Sequence, residues 1–182
     1  KHILVDDIVS GVEKLLSRII GEDIELSIQL ADKKAIIFAD AGQLEQVLMN
    51  LVTNARDAMP KGGCLTISTG SAAIDDGYIT AHGYGTVGKY ASISVADTGV
   101  GMNAETESKI FEPFYTTKGV GEGTGLGLSI AYGIIKQHKG FIQVYSEVGS
   151  GTVFKILLPM SDEAAGATLV ADASEPQGGT ET

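Results

Sequence analysis

The feature that most constrains this chain is a glycine-rich stretch, residues 121–128 (GEGTGLGL), that runs directly into an apolar, helix-like segment. Glycines allow backbone N–H groups to approach an anion closely, and the first turn of a helix offers unpaired N–H groups and the positive end of its dipole. The stretch therefore favours a phosphate-binding loop at a helix start. A flexible loop that ends in a buried helix is the alternative, and a glycine pattern alone does not separate the two.

The composition predicts one globular domain without an extracellular or nucleic-acid role. The chain has 182 residues, 43% of them hydrophobic, which is enough for a substantial core. The net charge of −10 argues against a nucleic-acid-binding surface, and the single cysteine, Cys64, cannot form an internal disulfide. No apolar run reaches the roughly 20 residues that span a bilayer. We expect a cytoplasmic domain with no direct membrane contact, cut from a longer parent protein that can itself be membrane-anchored.

The C-terminal end has a different composition. Residues 161–182 contain the acidic side chains of Asp162, Glu163, Asp172, Glu175 and Glu181 and no Lys or Arg. The remainder is mostly Ala, Gly, Ser, Thr and Pro without helix or strand periodicity, which is typical of a solvated linker or disordered tail. We therefore predict a folded domain over residues 1–160 and an acidic linker or tail over 161–182.

Hydrophobic periodicity predicts alternating helices and strands. Predicted helices cover residues 8–19 (capped by Asp6 and Asp7), 43–59, 105–111 and 124–138, and predicted strands cover 24–30, 35–39, 65–69, 90–96, 141–146 and 152–158. This order predicts an α+β fold with helices on one face of a mixed sheet. Residues 70–89 are predicted to be a polar connection. Its G-x-G-x-x-G at Gly83–Gly88 is interpreted as a chance match, because it runs into a strand instead of opening a helix.

Two asparagines stand four residues apart in the predicted helix 43–59. Asn50 and Asn54 share one edge of that helix, where Asn is a poor helix former. Neutral oxygen ligands suit Mg²⁺, which takes its remaining ligands from water and phosphates. The alternative is that both side chains only form hydrogen bonds with neighbouring backbone groups. Asp57 lies on the same strip and can accept a donor or a water, whereas Arg56 is expected to point elsewhere.

A carboxylate ends the predicted strand 90–96. Asp97 is followed closely by Gly99 and Gly101, and a carboxylate held at a strand end can accept a hydrogen bond from the exocyclic amine of adenine. The alternative is an Asp that starts a turn before glycine. Further along, the segment Phe111–Lys118 (FEPFYTTK) is predicted to latch a mobile lid through its aromatic rings while Lys118 reaches towards phosphate. A surface loop pinned by two buried rings is the alternative there.

Five motifs in order resemble one known family. They are residues 50–55 (NLVTNA), 97–101 (DTGVG), 111–114 (FEPF), 123–128 (GTGLGL) and 149–152 (GSGT). They resemble the N, G1, F, G2 and G3 boxes of the ATP-binding catalytic domain of sensor histidine kinases, and the match covers about residues 1–160. The sequence of residues 115–128 is similar to that of the nitrogen-regulatory and hybrid subgroup. In the hybrid members, a receiver domain follows the catalytic domain.

The resemblance implies a Bergerat-type two-layer α/β sandwich that binds ATP with Mg²⁺. It implies transfer of the γ-phosphoryl to a histidine on a dimerisation domain absent from this fragment, within a homodimeric parent, and onward to a response regulator or fused receiver domain. It makes Asn54 the principal Mg²⁺ ligand with Asn50 assisting, and Asp97 the partner of the adenine amine. The other implied nucleotide-binding residues are Gly99 and Gly101 beneath the base, Thr152 through a water, and Gly123, Thr124, Gly125, Leu126, Gly127 and Leu128 at the phosphates.

Two departures from the family pattern qualify these expectations. Many relatives carry Lys or Arg late in the N box where this chain has Asp57, so Lys118 is the substitute candidate for a phosphate contact. His2, His82 and His138 lack the acidic neighbour of a phosphoacceptor. We find no general base and predict that the isolated domain binds ATP·Mg²⁺ but barely turns it over.

Two alternatives share the nucleotide-binding fold. Gyrase, Hsp90 and MutL-like ATPases carry, by resemblance, a water-activating Glu where this chain has Asn50, so that position favours the kinase. The other alternative is a nucleotide-sensing or pseudokinase module, which the intact motifs disfavour.

Overall fold

The computed structural model describes residues 1–116 and 125–161. Its elements, in chain order, are β1 His2–Leu4, α1 Val5–Ile20, β2 Ile24–Gln29, β3 Ile36–Phe38, α2 Ala41–Ala58, β4 Gly63–Ile74, α3 Asp76–His82, β5 Gly88–Asp97, α4 Ala104–Lys109, α5 Gly127–Gln137, β6 Phe141–Glu147 and β7 Gly151–Pro159. Every predicted helix and strand is present, and β1 and α3 are additional.

The central sheet has five strands in the order β2-β4-β5-β7-β6. The β2–β4 pair is parallel and the other three pairs are antiparallel, so the sheet is mixed, as predicted. Within it, Asp97 at the end of β5 pairs with Leu65 on one side and Thr152 on the other. Strands β1 and β3 form a separate antiparallel pair. The register thus holds Asp97 between two neighbouring strands at one end of the sheet.

The three long helices cover one face of the sheet. Helix α2 packs between α1 and α5, and its buried stripe is Leu44, Val47, Leu48, Leu51, Val52 and Ala55. Alternate strand residues complete this main core, which includes Ala91, Ile93, Val95, Phe154, Ile156 and Leu158. Residues two apart on a strand face the same side, so these positions all point towards the helices. The predicted two-layer α/β architecture is confirmed.

A second apolar cluster lies on the opposite face. Ile74, Tyr90, Phe141 and Leu157 are buried there, and they alternate along their strands with residues of the main core. Tyr78, Ile79 and Tyr84 pack against them. The expectation that residues 70–89 form only a polar connection is therefore wrong. The segment contains the end of β4, helix α3 and the start of β5, and it covers sheet surface that the long helices do not reach.

The start of α1 differs from the prediction. Asp6 and Asp7 occupy the first turn, and Leu4 stands at the N-cap without a side-chain hydrogen bond. Asp6 is buried and accepts a hydrogen bond from the Thr69 hydroxyl at 2.8 Å. The carboxylate therefore ties α1 to β4 instead of capping the helix.

No helix in the described ranges is long and apolar enough to cross a membrane. The last described residue, Ser161, donates its backbone N–H to Ile36 O at 2.8 Å. Residues 162–182 lie outside the described ranges, so the domain boundary and the acidic tail stay predictions.

Candidate functional site

A cavity of about 820 Å³ opens between α2, the loop after β5 and the start of α5. That volume is within the range of small-molecule and cofactor sites. Of the predicted site residues, those that line it are Asn50, Asn54, Asp57, Gly101, Gly125, Gly127, Leu128 and Thr152. The fold thus brings together residues that are up to about a hundred positions apart in the sequence.

The asparagine pair lies on the cavity side of α2. Asn50 donates its side-chain amide to Gly127 O at 3.0 Å, so one of the two carboxamides links α2 to the first residue of α5. Asn54, one turn further along, lines the same cavity and is half-buried. The prediction that Asn50 and Asn54 share one edge of the helix is confirmed. For Asn50, the alternative, a hydrogen bond from its side chain to the backbone, is present as well. A role of either side chain in metal binding remains a prediction.

A charged pair follows the asparagines at the end of α2. The Arg56 guanidinium lies 3.3 Å from the Asp57 carboxylate and donates to Ile19 O at 3.4 Å. Both residues line the cavity, and the Arg56 guanidinium is directed to the last turn of α1, where its acceptor residue Ile19 does not line the cavity. Arg56 is the one basic residue among the described lining residues. It therefore brings a cation to this helix end, where Asp57 partly offsets its charge.

Asp97 is buried at the end of β5, with 7% of its surface exposed. Its carboxylate accepts hydrogen bonds from the backbone N–H groups of Gly99, at 2.9 Å, and Thr152. Burial raises the pKa of Asp97 above its ordinary value, and the two hydrogen bonds oppose that rise. Asp97 is not itself among the lining residues. It pairs in the sheet with Thr152, which lines one corner of the cavity.

Ser146, on β6, belongs to the same corner and is absent from the predicted site. Its hydroxyl lies 2.8 Å from the Thr152 hydroxyl and accepts the backbone N–H of Met102 at 2.8 Å. The signal that could have found Ser146 is strand alternation. Ile142, Val144 and Ser146 face the helix side of the sheet, and Ser146 pairs directly with Thr152.

The glycines after Asp97 pack tightly within the protein. A Cβ at Gly99 would lie 2.4 Å from Ala58 O, and one at Gly101 would lie 2.0 Å from Glu147 O. Both glycines are therefore required by the close approach of this loop to α2 and to the turn after β6. Contact between the nucleotide base and these glycines stays a prediction.

A backbone hydrogen bond joins the described residues on the two sides of segment 117–124. Phe114 has a positive φ of 67° and donates its N–H to Gly125 O at 2.9 Å. Phe111 is half-buried and packs near Tyr132 and Phe154, whereas the Phe114 side chain is exposed. The alternative of a surface loop pinned by two buried rings is therefore wrong. The predicted site residues Lys118, Gly123 and Thr124 lie outside the described residues.

Helix α5 begins at the cavity wall, and its N-cap residue makes no side-chain capping hydrogen bond. Its N-cap residue is Leu126, which has no side-chain hydrogen-bond acceptor, in contrast to α2, whose N-cap Asp40 accepts from Gln43 N–H. Gly127 and Leu128 open α5 and line the cavity. The first-turn N–H groups of a helix are a favourable site for an anion.

We predict that alanine destabilises the protein at Gly125 and has little effect at Gly127, the two glycines of the G-L-G sequence. Gly125 has a φ of +71°, and a Cβ there would lie 2.3 Å from the Phe114 carbonyl carbon. A Cβ at Gly127 would lie 3.8 Å from its nearest atom, in Asn50, which is an ordinary van der Waals distance. Gly125→Ala should cost about 1–3 kcal/mol of stability, and Gly127→Ala should change it by less than about 1 kcal/mol.

Urea unfolding of both variants measures this difference, with hydrogen exchange at the Phe114 amide as a local readout. Equal unfolding free energies together with equal Phe114 protection would contradict the assigned contact.

Comparison with known proteins agrees with this geometry. Residues 39–162 match the model of the histidine kinase-, DNA gyrase B-, and HSP90-like ATPase family. This range holds α2, the Asp97 loop and α5, and the match covers more than half of the chain. The chain therefore belongs to this ATPase family, and membership implies ATP binding.

Individual relatives place the chain among sensor histidine kinase catalytic domains. It is 50% identical over 153 residues to "Sensor kinase CckA" of Brucella abortus (strain 2308), which covers 84% of this chain but only 16% of that protein. It is similar to the catalytic domain of histidine kinase ThkA, with a TM-score of 0.65 and 27% identity over 87% of this chain and 94% of that one. Full-length ShkA in complex with AMPPNP gives a TM-score of 0.70 and 28% identity over 88% of this chain and 31% of that one. The resemblance inferred from the five motifs is confirmed.

Proposed function

We propose that this domain binds ATP with Mg²⁺ and transfers the γ-phosphoryl group to a histidine on a separate dimerisation domain of its parent protein. The observation that carries the proposal is the convergence of Thr152, which pairs with Asp97, the Asn50–Asn54 pair and the start of α5 around one cavity. The first set is suited to the edge of a nucleotide base, the asparagine pair to a metal ion and the helix start to an anion.

Asp97 recognises the adenine base. Its carboxylate is held by backbone N–H groups and accepts a hydrogen bond from the exocyclic amine, which adenine has and guanine replaces with an acceptor. Thr152 joins this contact through a water, and Gly99 and Gly101 lie beneath the base. The buried position of Asp97 supports this role, because burial strengthens a charge-assisted hydrogen bond.

Asn54, with Asn50 assisting, holds Mg²⁺. The donor set fits, because Mg²⁺ prefers oxygen ligands and commonly takes only one or two from the protein, with water and phosphate oxygens supplying the rest. No group of three or more His, Cys, Asp or Glu side chains suited to a metal occurs in the described ranges, whereas both amides line the cavity, together with Asp57. The ion neutralises charge on the transferring phosphoryl group.

The phosphates lie against the start of α5. Backbone N–H groups of Gly125, Leu126, Gly127 and Leu128 bind them, with Gly123 and Thr124 continuing the cradle and Lys118 supplying a cation. Arg56 is a second candidate cation, since it lines the cavity beside Asp57. Transfer depends on positioning and charge stabilisation, so this domain needs no general base of its own.

The partners follow from this role. The proposed parent is a homodimer that carries the phosphoacceptor histidine, and its phosphoryl group passes to a response regulator or a fused receiver domain. We place the domain in the cytoplasm, where ATP is available.

Radiolabelled ATP tests the proposed reaction. The parent kinase should acquire an acid-labile, base-stable phosphoryl group. The isolated domain should bind ATP in the presence of Mg²⁺ and release almost no phosphate. Sustained phosphate release by the isolated domain without any phosphoprotein would favour the ATPase alternative, and absence of nucleotide binding would overturn the proposal.

A further inference from the structure

Two hydrogen bonds join α5 to α2, one at each end of α5. At the start of α5, the side-chain amide of Asn50 donates to Gly127 O at 3.0 Å. At its end, the backbone N–H of Asp40 donates to Nε2 of the His138 ring at 3.2 Å. Asp40 is the N-cap residue of α2 and His138 is the C-cap residue of α5, so the two helices run antiparallel.

The spacing of these two bonds fits both helices. Ten residues separate the bonded positions on α2, and eleven separate those on α5. At about 1.5 Å per residue these stretches span roughly 15 and 16 Å, so both bonds form together. The burial of apolar side chains between the helices is non-directional, whereas a hydrogen bond at each end requires one position of α5 along α2.

The partners of the His138 ring determine which nitrogen carries a proton. Nδ1 lies 2.8 Å from Ile134 O, which can only accept, so Nδ1 is protonated. Nε2 faces the backbone N–H of Asp40, which can only donate, so Nε2 presents a lone pair. Both partners are backbone groups, and neither role can be reversed. The bond to α2 therefore requires the neutral imidazole with its proton on Nδ1.

The register of the two helices matters because they carry different parts of the proposed nucleotide site. Helix α2 carries Asn50 and Asn54, and α5 begins with Gly127 and Leu128 at the cavity wall. A shift of α5 along α2 would change the distance between the asparagines and the backbone N–H groups at the helix start. The bond at His138 opposes that shift from the far end of α5.

We infer that His138 is a positioning residue, whose neutral ring holds α5 in register with α2 and thereby sets the distance between the phosphate-binding helix start and the asparagine pair. His138 lies at the opposite end of α5 and is not among the described lining residues of the cavity. The inference rests on the proposed ATP·Mg²⁺ site and adds to it a residue that touches no nucleotide.

Two variants at one position, each with two ligands, test the inference. His138→Asn is too short to place an oxygen where Nε2 lies, whereas His138→Gln places its side-chain oxygen there and keeps the acceptor. We expect His138→Asn to weaken binding of Mg²⁺·ATP by about 3- to 10-fold, the effect of one neutral hydrogen bond. It should leave binding of adenosine, which has no phosphates, unchanged. His138→Gln should bind both ligands as wild type does.

Calorimetric titration measures ATP binding and an NMR titration measures adenosine binding. Hydrogen exchange at the Asp40 amide reports on the bond itself and should be faster in His138→Asn than in wild type or His138→Gln. Gln137→Ala, at the preceding exposed position of α5, is the matched control and should behave as wild type in all three measurements.

Equal losses for ATP and adenosine in His138→Asn would show a merely structural role and overturn the inference. No loss for either ligand, or failure of His138→Gln to restore ATP binding, would also overturn it. Each of these results leaves the proposed function intact. If wild type does not bind Mg²⁺·ATP at all, the proposed function fails and this inference fails with it.

Discussion

The Asp97→Asn variant should bind ATP about 10- to 100-fold more weakly than wild type while staying folded. A hydrogen bond to a charged group contributes about 1.5–3 kcal/mol, and each 1.4 kcal/mol is a factor of ten in the dissociation constant. The amide also places an N–H₂ group where the base needs an acceptor. Titration with a fluorescent ATP analogue measures the loss. Asp75→Asn, which alters the N-cap of α3 on the other face of the sheet, is the matched control.

The raised pKa of Asp97 gives this prediction a pH dependence. Burial raises the folded-state pKa, so the ionised carboxylate costs folding free energy at neutral pH; that cost declines as the pH falls through the raised pKa and is gone below the ordinary pKa of the unfolded state. Removing the charge should therefore not destabilise the fold on electrostatic grounds. ATP affinity of wild type should fall as the pH approaches the raised pKa, and that of Asp97→Asn should not. Unchanged affinity at neutral pH would refute the adenine assignment.

The Asn54→Ala variant should lose the Mg²⁺ dependence of ATP binding and about 100-fold or more of autophosphorylation in the parent kinase. A bound metal contributes several kcal/mol of charge stabilisation in phosphoryl transfer, and Asn54 is the proposed principal ligand. Isothermal titration with and without Mg²⁺ measures binding, and labelling with ATP measures transfer. The fold should persist, because Ala is a better helix former than Asn.

Gln46→Ala is the control for this variant, since Gln46 is exposed on α2 and does not line the cavity. It should retain both the Mg²⁺ dependence and full autophosphorylation. If Asn54→Ala phosphorylates as well as Gln46→Ala, then Asn54 is not the metal ligand.

Most of the fold was predictable because its elements carry local periodicity. The stripe Leu44, Leu48, Leu51 and Ala55 in α2 and the alternation in β5 are visible within single segments. Strand β1 and helix α3 were missed because each is short and its contacts come from distant residues. The burial of Phe141 beneath Tyr84, for example, depends on pairs nearly sixty positions apart. A pattern within residues 70–89 does not contain that information.

Some of the site residues were likewise predictable from the sequence, and others were not. Asn50, Asn54 and Asp97 stood out because each is chemically unusual for its local element. Ser146 did not, because a serine in a half-exposed strand is ordinary until its partners Met102 and Thr152 are known. For Arg56, helix geometry predicts only a direction for the side-chain stem, whereas the guanidinium position depends on Asp57 and Ile19 O.

In the glycine-rich stretch, what the sequence determined can be separated from what only the tertiary structure decided. The sequence by itself determined that backbone N–H groups meet a helix start there, since this follows from glycine and helix geometry within a few residues. Only the tertiary structure decided that Gly125 packs on the Phe114 backbone and that Gly127 O accepts from Asn50. Such contacts depend on the mutual placement of α2, α5 and the Phe111–Phe114 segment. That placement results from burial of the shared core, which no single segment specifies.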